Sequence, residues 1–250
     1  MGTFYSRCVG FLESTGKYVL EIDNDDLFSE SDVFETLYEQ TEEESFDIIS
    51  FVVFAVYYSS QFEDDTLTFI PNKTNNIVLQ PELGIYPYKE SHPLHGNQAV
   101  IWGRLIKGSV IKEAVNMIGK ERFSNYIVWS EDLSLYFVVT NVANSYKWIE
   151  KYGIIHFVYQ KPISKNEAVK RKMTGDIYSL DIIFDFSKKK YKISAIYRLL
   201  EMKKMHYFDL SNDSIRAYMK SVVKKIMNSN DIEENDKNLV KDAYKGIDIF

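Results

Sequence analysis

The chain has 250 residues, of which 45% are hydrophobic and 15% aromatic, which is enough to bury a sizeable core and excludes a disordered chain. Its single cysteine, Cys8, excludes a framework of intramolecular disulfides and is typical of a reducing compartment, so we expect a cytoplasmic protein. The net charge is −6. Because no apolar run is long enough to cross a bilayer, we expect no transmembrane segment.

Clustered carboxylates follow a short apolar run near the start of the chain. Residues 18–22 (YVLEI) are typical of a short buried strand, and Asp23, Asp25 and Asp26 come directly after it. Open α/β sheets bind ligands beyond the carboxyl ends of their strands, so this is a candidate ligand site. Asp23 and Asp25 could face one hard cation, such as Mg²⁺ or Mn²⁺. The alternative is a solvated acidic turn in which Asp26 caps the next helix.

An amphipathic helix and a second strand are predicted next. Ser29 and Asp32 suit an N-cap, and the helix after them should place its acids outward. Its predicted apolar face consists of Val33, Phe34, Leu37, Tyr38 and Thr41. Residues 46–54 (FDIISFVVF) predict a buried strand at a βαβ spacing, hence a right-handed parallel unit. Residues 55–95 predict a long polar loop with short hairpin strands near residues 67–70.

From Asn97 the pattern predicts a helix that includes residues 99–107 (AVIWGRLIK). Trp102 could present its ring to a ligand or anchor a core, and the residue type favours neither. Arg104 could contact a phosphate or lie on the surface. This stretch therefore supplies one aromatic and one cationic candidate for a binding site.

A second group of acids opens a later helix. Ser130 is a natural N-cap, so Glu131 and Asp132 fall in the first turn, where backbone N–H groups favour negative charge. Capping alone would explain an acidic pair at this position.

The rest of the chain predicts two strands and then helices only. Residues 145–149 and 153–159 predict the strands, and the second carries His156, which could be a hydrogen-bonded core residue or a metal ligand. Helical periodicity follows in residues 177–186, 193–205, 215–227 and 239–247. Lysines and arginines are concentrated in this part, but without aromatic residues at stacking intervals or a recognition motif. We expect a solvated helical face and no nucleic acid partner.

Five segments together resemble family 2 glycosyltransferases of the GT-A fold. Residues 6–10 (SRCVG), 14–19 (STGKYV) and 23–26 (DNDD) resemble the segment R-N-x-G, A-x-G-x-Y-[IV], D-x-D-D of that family. Residues 102–107 (WGRLIK) resemble its W-x-K-L-[FY]-[KR] stretch, and residues 131–132 resemble its E-D signature. The resemblance extends from residue 4 to about residue 164.

The resemblance implies a metal-dependent, inverting glycosyltransferase that moves a sugar from a nucleotide-sugar donor to a carbohydrate or other hydroxyl acceptor. It implies Asp132 as the catalytic base. It also implies Mn²⁺ or Mg²⁺ at Asp23 and Asp25, completed by His156. The residues implied to bind the donor or acceptor are Arg7, Asp23 and Trp102. The alternative from another class is a non-catalytic, glycosyltransferase-like fragment or interaction module.

The chain also departs from the family pattern. It has no N-terminal strand, P-x-Y/F-N turn or D-D-x-S-x-D segment to hold the base and ribose. Cys8 replaces the usual asparagine, and Glu21 stands where an apolar residue is usual. We therefore expect a truncated, Rossmann-like GT-A mixed sheet flanked by helices in residues 1–164 and an all-α extension in residues 165–250. A truncated sheet leaves an open nucleotide site and an uncovered edge, so we also expect self-association.

Overall fold

The structure is a computed structural model that describes residues 2–43, 45–58, 66–69, 101–123, 127, 130–159, 165–186, 192, 196, 199, 200 and 213–245. These residues form a mixed α/β fold of six strands and eight helices. The strands are β1 (Tyr18–Leu20), β2 (Leu27–Phe28), β3 (Ile48–Tyr58), β4 (Thr66–Phe69), β5 (Arg104–Lys107) and β6 (Tyr146–Tyr159). The helices are α1 (Thr3–Glu13), α2 (Val33–Glu43), α3 (Gly108–Ile118), α4 (Lys120–Phe123), α5 (Glu131–Val142), α6 (Lys165–Phe186), α7 (Asp213–Asn228) and α8 (Glu234–Ala243).

All six strands belong to one mixed sheet. Its order is β1-β5-β3-β6-β2, with β4 also paired to β3. Strand β3 is parallel to β6 and antiparallel to β5, and β1 is antiparallel to β5 in turn. The predicted mixed α/β class is therefore confirmed. Strands β1 and β3 run in the same direction, as the predicted parallel unit requires, but β5 lies between them and is antiparallel to both.

Strand β5 replaces the helix that the sequence predicted for residues 99–107. Its first three residues are buried, and the helix begins only at Gly108. A short apolar run that is buried on both faces has no alternation to distinguish it from a helix, which explains the error. The predicted hairpin strand near residues 67–70 is confirmed by β4, which pairs antiparallel with β3. Nearly all the remaining residues of the predicted loop lie outside the described part of the chain.

Strand β6 joins the two strands predicted for residues 145–149 and 153–159. Its register against β3 shifts between Ser50 and Val52 and again between Val52 and Val53. In the second shift Val52 pairs with Tyr152 and Val53 with Ile154, so Gly153 is an extra residue. Such a bulge bends a strand and changes the direction of the residues that follow it.

Helix α2 confirms the element predicted after Asp32 and part of its predicted apolar face, because Thr41 is also buried. Val33 and Leu37 are buried, whereas Phe34 is 60% and Tyr38 63% exposed. Only a narrow stripe of the helix packs against the sheet, so the outer residues of a wide apolar face remain in solvent. The ring of Phe34 lies 4.5 Å from that of Phe28.

The core consists of three clusters of buried side chains. The first lies under α1, α3 and α5 and includes Phe4, Ile111, Val115, Leu135, Val139 and Tyr146. The second lies among α6, α7 and α8, and the third lies between α2 and the sheet. Helix α6 contributes Ile182 and Ile183 to the first cluster, and Ile177, Leu180 and Phe184 to the second. The C-terminal helices are therefore packed onto the α/β part through α6.

The C-terminal helices agree with the sequence where the structure describes them. Residues 177–186 lie in α6 and residues 215–227 in α7, while α8 ends at Ala243. Most of the helix predicted for residues 193–205, and the predicted boundary at residues 161–164, lie outside the described residues. The division at residue 164 stays a prediction. Among the described helices, none is long and apolar enough to cross a membrane.

Candidate functional site

The side chain of Arg7, on α1, is surrounded by four carboxylates. Its Nε donates to Glu21 Oε1 at 2.9 Å and its Nη2 to Asp23 Oδ1 at 3.0 Å. Its Nη1 donates to Glu131 Oε1 at 2.9 Å and to Asp132 Oδ1 at 2.5 Å. Only 7% of the Arg7 side chain is exposed. We call these five residues the Arg7 cluster.

Three elements bring the Arg7 cluster together. Glu21 and Asp23 follow the carboxyl end of β1, and Glu131 and Asp132 form the first turn of α5. The N-terminal N–H groups of α5 favour negative charge there. Arg7 reaches both pairs because α1 packs against α5 and against α3 through the first core cluster. Two acidic motifs that lie far apart in the sequence thus meet at one guanidinium.

The Arg7 cluster has more acids than one arginine can neutralise. Burial raises the pKa of Asp132 to about 8 and outweighs the lowering by Arg7, while the neighbouring carboxylates raise it further. Burial likewise raises the pKa of Glu21 to about 7, again against the effect of Arg7. The pKa of Glu131 is raised for the same reason. Burial lowers the pKa of Arg7, but the four carboxylates raise it more, so the guanidinium stays charged. The cluster therefore retains protons near neutral pH.

A second group of polar side chains shares Asp23 with the Arg7 cluster. Asp23, Asp26 and His156 each offer a ligand atom within 4.8 Å of the others, which could hold a metal ion. Both carboxylate oxygens of Asp26 lie 2.9 Å from His156 Nδ1, and Asp26 Oδ1 accepts from the backbone N–H of Phe157 at 3.0 Å. A carboxylate on one nitrogen of a histidine ring orients the other nitrogen toward a ligand. The hydrogen bond that His156 donates to Asp26 raises the pKa of His156, against the lowering by burial.

Trp102 lies against this group rather than in an open pocket. Its indole stacks on the ring of His156 with centroids 4.8 Å apart and planes 22° apart. Only 8% of Trp102 is exposed, which leaves little of the ring for a sugar. The sequence allowed a surface position for Arg104, but its side chain is buried, with 2% exposed. Its guanidinium carbon lies 4.0 Å from the centre of the Tyr136 ring.

The structure brings most of the predicted site residues together. The Arg7 cluster contains three of them, Arg7, Asp23 and Asp132. His156 lies near Asp23, and Trp102 stacks on His156. Asp25 is exposed and lies outside the group that could hold a metal. The metal role predicted for it stays a prediction.

Two residues of the site were not assigned a role from the sequence. For Asp26 the sequence offered only a helix cap, as the alternative to a ligand site, although Asp26 is the fourth position of the D-x-D-D resemblance. Its buried carboxylate instead pairs with His156. Glu21 was noted only as an acid in an apolar strand. A charge in a short buried run is itself a signal, because a buried carboxylate needs a cationic or hydrogen-bonding partner.

Ser130 occupies the N-cap position of α5, as predicted, but its hydroxyl does not cap the helix. Its backbone is left-handed, with φ at 61° and ψ at 10°, and no side-chain cap hydrogen bond forms. The hydroxyl instead donates to Asp176 on α6.

The fold and site thus define a mixed α/β protein with an acidic site at the carboxyl end of β1. No protein-family model matches the chain, and no curated protein matches it.

Proposed function

We propose that the protein is a glycosyltransferase that moves a sugar from a nucleotide-sugar donor to an acceptor hydroxyl with inversion. The observation that carries the proposal is the meeting of Asp23 and Asp132 at Arg7, at 3.0 and 2.5 Å. These two residues stand in the D-x-D and E-D resemblances. Such a transfer needs both a group that supports the leaving diphosphate and a separate base for the acceptor.

Asp132 is the proposed base. In the transfer its carboxylate takes the proton of the acceptor hydroxyl while the acceptor oxygen bonds to the anomeric carbon. The bond from that carbon to the diphosphate breaks, and the nucleoside diphosphate leaves with the electron pair. A base works best when its pKa is close to the working pH. The burial that raises the pKa of Asp132 to about 8 therefore suits this role.

The donor set also suits a divalent metal ion. Asp23 and His156 offer one oxygen and one nitrogen, and Asp26 holds the histidine ring in place. Carboxylate and imidazole ligands fit Mn²⁺, which accepts both. When bound, such an ion would offset the negative charge of the diphosphate. Asp25, exposed beside this group, is the further ligand that the resemblance implies.

The single cysteine bears on the location of the protein. Cys8 is free and buried, and burial raises the pKa of its thiol to about 12, so it is an unreactive core residue. We keep the cytoplasm as the proposed location.

A non-catalytic interaction module is the second candidate, and one observation favours it. Arg7 ties up both acids of the E-D pair, and a buried ion pair of this kind can serve folding alone. In this second candidate function the ion pair of Asp132 with Arg7 is permanent, and Asp132 does not act as a base.

The test is release of nucleoside diphosphate from a panel of uridine, guanosine and thymidine diphosphate sugars with Mn²⁺. We expect Asp132→Asn to lower the rate by about 10²- to 10⁴-fold, as loss of a positioned base does. Donor binding, measured by calorimetry, should stay unchanged. Glu39→Gln, on the exposed face of α2, is the matched control and should leave the rate unchanged. Normal turnover by Asp132→Asn, or no turnover of any donor by the wild type, would contradict the proposal.

The metal is tested separately by calorimetry with Mn²⁺ alone. Asp23→Asn and His156→Gln should each weaken binding about tenfold or more, the usual effect of losing a ligand or its orienting partner. Weaker binding by Asp25→Asn would add Asp25 to the ligands, whereas Asp26→Asn removes the carboxylate that holds the His156 ring. If neither Asp23→Asn nor His156→Gln changes Mn²⁺ binding, the metal site as proposed does not exist.

A further inference from the structure

Ser130 holds a backbone conformation that its residue type disfavours. Among the described residues it is the one non-glycine residue with a positive φ angle. A side chain in the left-handed region crowds the following carbonyl group. Residues of this kind persist where surrounding contacts hold them, and they are frequent at functional sites. Glu131 and Asp132 follow Ser130 directly, so the backbone conformation of Ser130 sets the direction in which their side chains project.

Two hydrogen bonds between Ser130 and α6 hold Ser130 in place. Its Oγ donates to Asp176 Oδ1 at 2.5 Å, and Ser179 Oγ donates to its carbonyl oxygen at 2.6 Å. Asp176 is 4% exposed and Ser179 is fully buried. The side chain and the carbonyl group of one residue are thus anchored to the same helix, which fixes the rotation of the backbone between them.

The anchoring has an evident cost. A serine at the N-cap usually stabilises its helix by accepting from a backbone N–H, and here the hydroxyl is turned to α6 instead. The consequence appears in the next two residues, whose carboxylates both reach Arg7 Nη1, at 2.9 and 2.5 Å. The usual N-cap residue has an extended backbone, so capping does not account for the left-handed conformation of Ser130.

We propose that Asp176 and Ser179 are positioning residues that hold Ser130 left-handed and thereby aim Asp132 at the Arg7 guanidinium. Helix α6 then belongs to the site, although it lies in the segment predicted as a separate extension. The proposal rests on the proposed function in that Asp132 is taken as the base. The geometric part, the control of the Arg7 cluster by α6, stands without any activity.

The experiment measures hydrogen exchange of the Arg7 Nε–H group by ¹⁵N nuclear magnetic resonance on the full chain. Asp176→Ala removes the acceptor of the Ser130 hydroxyl, and Ser179→Ala removes the donor to its carbonyl oxygen. We expect each change to speed the exchange at least about fivefold, because the Arg7 cluster loosens as protection decreases. Asp176→Asn keeps an acceptor oxygen and should preserve most of the protection. If Asp176→Ala does not fold, Ser179→Ala, the milder change, still tests the proposal.

Two controls separate positioning from general destabilisation. Ile177→Val alters the same helix on the side of the second core cluster and should leave the exchange within about twofold, since it touches neither Ser130 nor Arg7. Ser130→Gly removes the penalty for a left-handed backbone. In that background Ser179→Ala should change the exchange less than about twofold, because the anchor is no longer needed.

The outcomes distinguish this proposal from the proposed function. Unchanged exchange in both anchor variants would overturn it, as would an equal effect of Ile177→Val or an effect undiminished by Ser130→Gly. With a donor that the wild type turns over, Ser179→Ala should lower kcat at least about tenfold and leave KM within about twofold, because loss of positioning acts on the transition state. If the anchor variants exchange faster but the wild type turns over no donor, the positioning role of Asp176 and Ser179 is supported and the proposed glycosyltransferase function is contradicted.

Discussion

At the scale of single residues, the Arg7 cluster should make stability fall as the pH rises. Burial raises the pKa of Asp132 from 3.8 to about 8, so the folded protein keeps a proton that the unfolded chain has already released. Glu21, with its pKa raised to about 7, acts in the same direction. Because the folded state binds more protons, the free energy of unfolding decreases between about pH 5 and about pH 8. The limit is about 1.4 kcal/mol per pH unit for each proton.

Urea denaturation across that range checks the sign. Asp132→Asn cannot titrate at this position and should reduce the slope. Asp32→Asn is the control, because Asp32 is an exposed acid paired with Lys151, and that pairing lowers its pKa. It should leave the slope unchanged. A stability that rises with pH over this range would mean that Arg7 outweighs burial and that the acids are ionised.

The Arg7 cluster also shows what the sequence could reveal about single residues. The resemblance selected Arg7, Asp23 and Asp132 from separate motifs, and all three lie in one cluster. The sequence could not show the partner of Asp26, because its carboxylate contacts His156, which lies far along the chain. His156 follows the bulge in β6, which changes the direction of the strand. Pairings of this kind depend on tertiary packing, which local patterns do not encode.

At the scale of elements, the bulge at Gly153 in β6 connects the sheet to the site. A Cβ on Gly153 would lie 2.3 Å from Cδ2 of Phe51, and Phe51 is fully buried. Beyond the bulge the strand carries His156 to Asp26 and Trp102. We predict that Gly153→Ala lowers the free energy of unfolding by about 1–3 kcal/mol, the usual cost of overpacking a tight core.

A double mutant makes this prediction specific. Phe51→Leu makes room at the contact, so Gly153→Ala should cost less in that background than in the wild type, by about 0.5 kcal/mol or more. Both free energies come from urea denaturation. Gly10→Ala is the matched control, because a Cβ there would meet nothing within 4 Å. Additive effects of the two core changes would show that Phe51 is not what Gly153 accommodates.

The elements themselves differed in how far the sequence predicted them. Strand β3 and helices α2 and α5 were predicted because each is long enough to show a clear period or a clear apolar run. Strand β5 was not, because a run of four residues whose first three are buried looks the same in a strand and in a helix. The sequence predicted two strands where the structure has the single strand β6, because a bulge within a strand leaves no fixed signal in the sequence.

At the scale of the whole molecule, α6 should make the α/β part and the C-terminal helices unfold together. It places Ile182 and Ile183 in the first core cluster and Phe184 in the second, and its Asp176 and Ser179 anchor Ser130. A helix shared by two cores cannot unfold from one of them without exposing apolar surface of the other. The sequence alone predicted an all-α extension without showing how it packs, because a boundary signal describes the connection and not the packing after it.

The three tryptophans all precede residue 150, so their fluorescence reports on the α/β part, whereas far-ultraviolet circular dichroism reports on every helix. Phe184→Ala removes a ring that is 4% exposed in the second cluster, and we predict a loss of about 3–5 kcal/mol. With one cooperative unit, both signals should shift by the same amount. Leu239→Ala, at a leucine 47% exposed on α8, is the control and should change stability by less than about 0.5 kcal/mol. If Phe184→Ala moves the dichroism transition and leaves the fluorescence transition in place, the C-terminal helices are an independent unit and the coupling through α6 is wrong.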